Sequence, residues 1–175
     1  MSAATEERWP IASFTADDFK PENGNVDVRI RWFTKNDIPE MLEIEQACFA
    51  DRAWKEEDFL SCLHGNNTIG MVATSNADDR VVGFMIYDLQ ESQRLLLSLA
   101  VAPEEQRLGV GTALIEYLKW RINPRRPEVQ LALRESNLAA QLFFKSAQFR
   151  ATAVFSDYFP DGEDAYVMRF KKEFL

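Results

Sequence analysis

An α/β fold, with a mixed sheet of six to seven strands and helices on both faces, is predicted by three observations. Seven strand-sized runs, at 26–32, 68–75, 81–89, 95–101, 129–134, 149–158 and 164–170, are apolar or alternate apolar with polar residues. Stretches of helical period fall between these runs, so helices alternate with strands and must pack on the sheet they form. A hydrophobic content of 46% with only 7 Gly and 7 Pro in 175 residues describes one folded, non-repetitive domain with a sizeable core.

Each element has its own justification. Residues 1–25 are polar and carry only Trp9, Ile11, Phe14 and Phe19 as apolar anchors, so they read as a partly ordered extension; the domain proper is 26–175. Residues 26–32 alternate apolar and charged, as a half-buried strand does. Thr34 or Asn36 then caps a helix whose inward residues are Ile38, Met41, Leu42, Ile44, Cys48 and Phe49. Glu45 falls on the border of that stripe, either as a solvated edge residue or as a carboxylate turned into a cleft. A second helix covers 55–63 and ends at Gly65. Strands at 68–75 and 81–89 flank a hairpin turn at 76–79. The strand at 95–101 is stopped by Pro103, which cannot donate to a ladder. Val110, Ala113, Leu114, Tyr117 and Leu118 give the next helix one apolar stripe. Asn123-Pro124-Arg125-Arg126-Pro127 is a break, with both arginines read as a solvated turn rather than a phosphate site. A buried strand at 129–134, a helix at 138–147 opened by Ser136 or Asn137, and two closing strands joined through Pro160-Asp161-Gly162 complete the chain.

Composition narrows the function classes. A net charge of -8 and a pI near 4.8 disfavour nucleic acid and anionic membranes as partners. No apolar run approaches the length of a membrane span and the N-terminus lacks a signal-peptide core, so the expected location is the cytoplasm. Cys48 and Cys62 have no metal-type spacing and His64 is alone, so no metal site is expected and the cysteines read as inert.

The chemistry concentrates between 94 and 120, where a strand, a basic glycine-bearing loop and a helix follow one another. A helix start offers unpaired N–H groups and the positive end of the dipole, which suits a phosphate. Gly109 and Gly111 let a diphosphate approach the backbone, and Arg107 adds a cation. No Gly-Lys-Ser/Thr follows, which excludes a P-loop, and the Rossmann third glycine and ribose acid are missing.

Gln106-x-x-Gly109-x-Gly111 in this setting resembles the coenzyme A loop of the GNAT acyltransferase superfamily, a single-domain fold with a mostly antiparallel mixed sheet. Within that superfamily the chain is most similar to bacterial ribosomal-protein N-terminal alanine acetyltransferases. The likeness is carried by Ile44-Glu45-Gln46-Ala47-Cys48-Phe49, by 134–140 (Arg-Glu-Ser-Asn-Leu-Ala-Ala), and by Tyr158-Phe159-Pro160 with 163–168 (Glu-Asp-Ala-Tyr-Val-Met). The resemblance implies acetyl-CoA as cosubstrate, with Leu99, Ala100 and Val101 along the pantetheine. It implies the diphosphate on Gln106, Arg107, Leu108, Gly109, Val110, Gly111 and Thr112, and Asn137 and Phe144 beside the pantetheine arm and thioester.

The departures concern proton handling. Those enzymes carry a Glu general base where this chain has Ala132, and a Tyr general acid where it has Phe144. An α-amine titrates near 7.7–8.0 and lysine near 10.4, so near neutral pH roughly a fifth to a third of α-amines at most, but about one lysine in a thousand, are free to attack. A missing base, typically worth about 10²–10⁴-fold, is therefore tolerable only for an α-amine or another low-pKa amine. Tyr158, Glu45 and Ser98 are the candidate substitutes, the last two through water. The expected function is acetyl transfer by direct attack in a ternary complex onto a peptide or protein N-terminus, by a monomer or homodimer. The alternatives are a small-molecule amine acetyltransferase and a non-catalytic acyl-CoA-binding sensor.

Overall fold

A computed structural model describes residues 26–174 of the chain. The extension expected at 1–25 lies outside the described residues. The elements run β1 (Val28–Trp32), α1 (Ile38–Phe49), α2 (Glu56–His64), β2 (Thr68–Ser75), β3 (Val81–Leu89), β4 (Gln93–Val101), α3 (Val110–Trp120), β5 (Glu128–Arg134), α4 (Leu138–Ser146), β6 (Arg150–Phe155) and β7 (Ala165–Lys171). One seven-stranded sheet has the order β1-β2-β3-β4-β5-β7-β6, and its only parallel pair is β4 with β5. The expected elements are all present, with ends displaced by a few residues where the last strands give way to a loop at 156–164. Val26 precedes β1 rather than opening it.

The centre of the sheet is buried on both faces, which is why β2 and β3 read as continuous apolar runs. Met71, Ala73, Met85 and Tyr87 point to the face covered by α3 and α4, while Val72, Phe84 and Ile86 point to the face covered by α1 and α2. Ile38, Met41 and Ile44 of α1 and Phe59 of α2 fill the second layer, where Phe59 meets Phe84 edge-on at 5.5 Å. Removing one such buried Phe costs about 3–5 kcal/mol. Thr34, expected as a cap, does open the approach to α1: its N–H (2.7 Å) and hydroxyl (3.0 Å) both bond the Asp37 carboxylate, which also takes two bonds from Arg31 at 2.8 Å.

Two features of β4 shape the site. Its register against β3 jumps from Ile86↔Ser98 to Tyr87↔Leu96, so Leu97 is an extra residue and a bulge. Its pairing with β5 stops after Gln93↔Glu128, Arg94↔Val129 and Leu95↔Gln130. Beyond Leu95, β4 pairs with β3 alone and β5 with β7 alone, and the sheet splits.

Candidate active site

The split exposes the free edge of β4. Ala102 donates its N–H to Val82 at 2.9 Å, so the antiparallel alternation turns Ala100 and Ser98 toward β3 and Leu99 and Val101 away from it, into the split. Leu99 and Val101 thus turn their backbone groups to the open edge, where the resemblance expects the pantetheine arm. Ala100 does not: its backbone serves the sheet and its side chain is buried with the α1 layer. The Val101 carbonyl is already engaged, by the Gln106 amide at 3.0 Å and the Cys48 thiol at 3.3 Å. Gln106 therefore secures the strand end rather than a diphosphate, and Val101 keeps its N–H for a ligand.

Past Pro103 the chain turns through Arg107 and Gly109, both with left-handed backbone (φ 63° and 97°), and enters α3. A Cβ on Gly109 would lie 2.4 Å from Val26 Cγ2, so glycine is required there by both conformation and space. Ala113 is the first residue of α3 with a helical partner, its N–H bonding Gly109 O at 2.9 Å, which leaves the Val110, Gly111 and Thr112 N–H groups pointing outward. The first turn of α3 carries no acid, and Arg107 pairs with no carboxylate among the described residues. Leu108 is exposed beside it. The arrangement fits a diphosphate, with Leu108 to Thr112 cradling it and Arg107 as its cation. Asn137 caps α4, its Oδ1 accepting the Ala140 N–H at 3.1 Å, which leaves its amide NH₂ for a ligand. Phe144 is buried in a ring cluster, 5.2 Å from both Phe143 and Phe149, and forms wall rather than surface.

The structure keeps the three proton-handling candidates apart, on α1, on β4 and on the β6–β7 loop. Glu45 is not the solvated edge residue that its stripe position allowed. It is 1% exposed beneath the α1–α2 turn, one oxygen accepting the Trp54 N–H at 3.0 Å and the other unpartnered among the described residues. Burial raises its carboxyl to about 6, against the Trp54 bond and helped by the charge of Asp58. Ser98 is buried on the same sheet face, opposite Ile86, and makes no hydrogen bond to Glu45. Tyr158 lies on the β6–β7 loop, 54% exposed, its ring packed on Phe155 and Phe159. Ala132 and Arg134 share one face of β5, since Leu131 and Leu133 take the other, and the Arg134 guanidinium sits 4.0 Å from the Phe159 ring centre. The loop bearing Tyr158 therefore reaches over the face of β5 that Ala132 and Arg134 share.

Two participants escaped the sequence reading. Cys48, read as inert, reaches the β4 terminus, though burial pushes its thiol up and keeps it protonated. Its helical spacing carried no signal of that contact. The Arg134, Ser136, Asp161 and Glu163 network was also missed, because its members are 25 or more residues apart in groups that only folding joins.

Residues 64–151, half the chain, match the family model described as acetyltransferase (GNAT) domain. The [ribosomal protein bS18]-alanine N-acetyltransferase of Salmonella typhimurium is 32% identical over 136 residues, covering 75% of this chain and 89% of that one. The crystal structure of the corresponding Escherichia coli enzyme superposes with a TM-score of 0.71 at 29% identity, covering 85% of this chain and 96% of the other. Ard1 from Thermoplasma volcanium superposes with a TM-score of 0.72 at 26% identity, covering 85% and 100%. The split parallel pair, the glycine loop and these relatives lead to one conclusion: the chain belongs to the GNAT acetyltransferase family.

Proposed function

We propose that this N-acetyltransferase moves an acetyl group from acetyl-CoA to the N-terminal α-amine of a protein or peptide. The observation that carries the reading is the open β4 edge leading into the acid-free start of α3, beside Arg107, which pairs with no carboxylate among the described residues. Relatives named for acetylating a ribosomal protein's alanine support the acceptor class and a cytoplasmic place of work.

Bound acetyl-CoA supplies an acetyl carbonyl activated as a thioester. The amine nitrogen forms the new C–N bond, the C–S bond breaks, the amine releases a proton and the departing thiolate takes one up. The chain's own part is to hold and orient: Leu99 and Val101 along the arm, Leu108 to Thr112 and Arg107 at the diphosphate, Asn137 through its amide NH₂. With Ala132 and Phe144 at the usual base and acid positions, the reading places proton transfer on Tyr158 and on Glu45 and Ser98 through water, and it favours an amine that is already neutral. An α-amine meets that condition roughly a few hundred times more often than lysine near neutral pH.

Thermal unfolding with acetyl-CoA at a hundredfold excess over Kd tests the cofactor half. The expected stabilisation is ~2.7 kcal/mol, a rise of roughly 5–10 °C. CoA release with peptides bearing free or blocked N-termini tests the acceptor half. Turnover on free N-termini alone supports the proposal, lysine-only turnover overturns it, and binding without any turnover leaves an acyl-CoA sensor.

A further inference from the structure

We propose that Arg134, Ser136 and Glu163 form a clamp that holds the β6–β7 loop in the posture an acceptor peptide meets, making Arg134 and Glu163 positioning residues of the acceptor site. The inference rests on the peptide-amine reading above.

The Glu163 carboxylate bridges two anchors. One oxygen accepts the Ser136 N–H (2.8 Å) and hydroxyl (2.5 Å), and the other accepts Arg134 Nη1 at 2.6 Å. Arg134 Nη1 also reaches both Asp161 oxygens, at 3.0 and 2.9 Å, while the guanidinium covers the Phe159 ring. The backbone closes the same knot: Phe159 N–H to Glu163 O, Gly162 N–H to Phe159 O, and Glu135 N–H to Asp164 O. Asp157 N–H adds a bond to the Asp164 carboxylate at 3.0 Å. An isolated surface ion pair holds little, but here a backbone N–H, a hydroxyl and a guanidinium converge on one carboxylate, with Arg134 only 17% exposed.

The ties fall on residues 157 to 164 around Tyr158, and none among the described residues falls on its hydroxyl. The clamp ties residues 157, 159, 161 and 163, and Tyr158 stands between the first two with its ring largely exposed. The clamp's other foot, Ser136, adjoins Asn137 on the cofactor side. A side chain that touches neither substrate thus sets where the acceptor loop stands relative to the cofactor. The chemistry requires this precision, since a misplaced attacking amine loses the advantage of proximity.

Glu163→Ala and Ser136→Ala test the clamp, the second removing only a hydroxyl, with Glu163→Asp as the conservative rescue. Chymotrypsin susceptibility at Phe155 and Tyr158, mapped by mass spectrometry, reads the loop without needing activity. Steady-state kinetics with a peptide acceptor reads its consequence. Cleavage at these two residues and the peptide KM are expected to rise about tenfold in Glu163→Ala, while the acetyl-CoA KM and thermal shift stay within about twofold, and Glu163→Asp recovers part of both. Ser136→Ala moves in the same direction by less. Unchanged cleavage in both alanine variants overturns the clamp, as does an equal rise in both KM values. If the parent enzyme acetylates no peptide, the proposed function fails while the cleavage pattern still decides the clamp.

Discussion

Glu45 shows what one buried carboxyl does to the enzyme. With a folded pKa of about 6 against an ordinary value of 4.5, its protonated form is the one the fold prefers. The stability it contributes is fully present below about pH 4.5 and is lost as pH rises through 6; ionisation then leaves a penalty of about 2 kcal/mol. Glu45→Gln is expected to abolish the loss of thermal stability between pH 4.5 and 6 while keeping an acceptor for the Trp54 N–H, as circular dichroism melts would register. If Glu45 also takes the amine proton, the same variant lowers kcat/KM by about 10²-fold or more and moves the acid limb of its pH profile. A melt change without a kinetic change assigns Glu45 to holding the α1–α2 turn alone. Tyr158→Phe separates the second candidate in the same way, because its exposed ring packs identically without the hydroxyl.

At the scale of elements, the loop from Pro103 to Gly109 divides its labour between structure and binding. Gln106 and Cys48 tie off the last carbonyl of β4, whereas Arg107 and the α3 N–H groups remain outward. Arg107→Ala is therefore expected to weaken acetyl-CoA binding about tenfold, with the difference shrinking in high salt. Gln106→Ala is expected to lower stability by about 0.5–1.5 kcal/mol with little salt dependence, since it removes a neutral bond. Titration calorimetry at two ionic strengths distinguishes the pair. Gly109→Ala strains a φ of 97° at a cost of about 1–3 kcal/mol and collides with Val26. Pairing it with Val26→Ala relieves the collision but not the dihedral, so the double variant recovers only part of the melting temperature.

Across the whole molecule the titrating carboxyls oppose one another. Burial disfavours the Asp37 charge, but the Arg31 guanidinium and the Thr34 N–H and hydroxyl outweigh it and hold the carboxyl below its usual range. The Ser136 hydroxyl and N–H, with Arg134, hold Glu163 down to about 2. Their stabilisation is present above about pH 4.5 and is lost as pH falls toward 2, while that of Glu45 is lost on the way up to 6. Thermal stability is expected to peak at roughly pH 5, with the decline on its alkaline side absent in Glu45→Gln.

The sequence by itself determined the strands, the helices and the glycine loop between β4 and α3, because periodicity, Pro103 and the paired glycines act over a few neighbouring residues. It also located Ala132 and Phe144 as departures from the usual proton-handling pair. Tertiary structure alone decided the rest, for reasons of distance and burial. The split after Leu95 depends on how three strands from 93, 128 and 165 meet. The stripe-border position of Glu45 allowed a solvated or an inward carboxylate, and only the packing of α2 and Trp54 over it makes it buried. Gln106 looked like part of a phosphate loop until β4 placed a carbonyl within its reach. The clamp joins residue 134 to residue 163, and no local pattern encodes a contact that exists only once β7 has paired with β5.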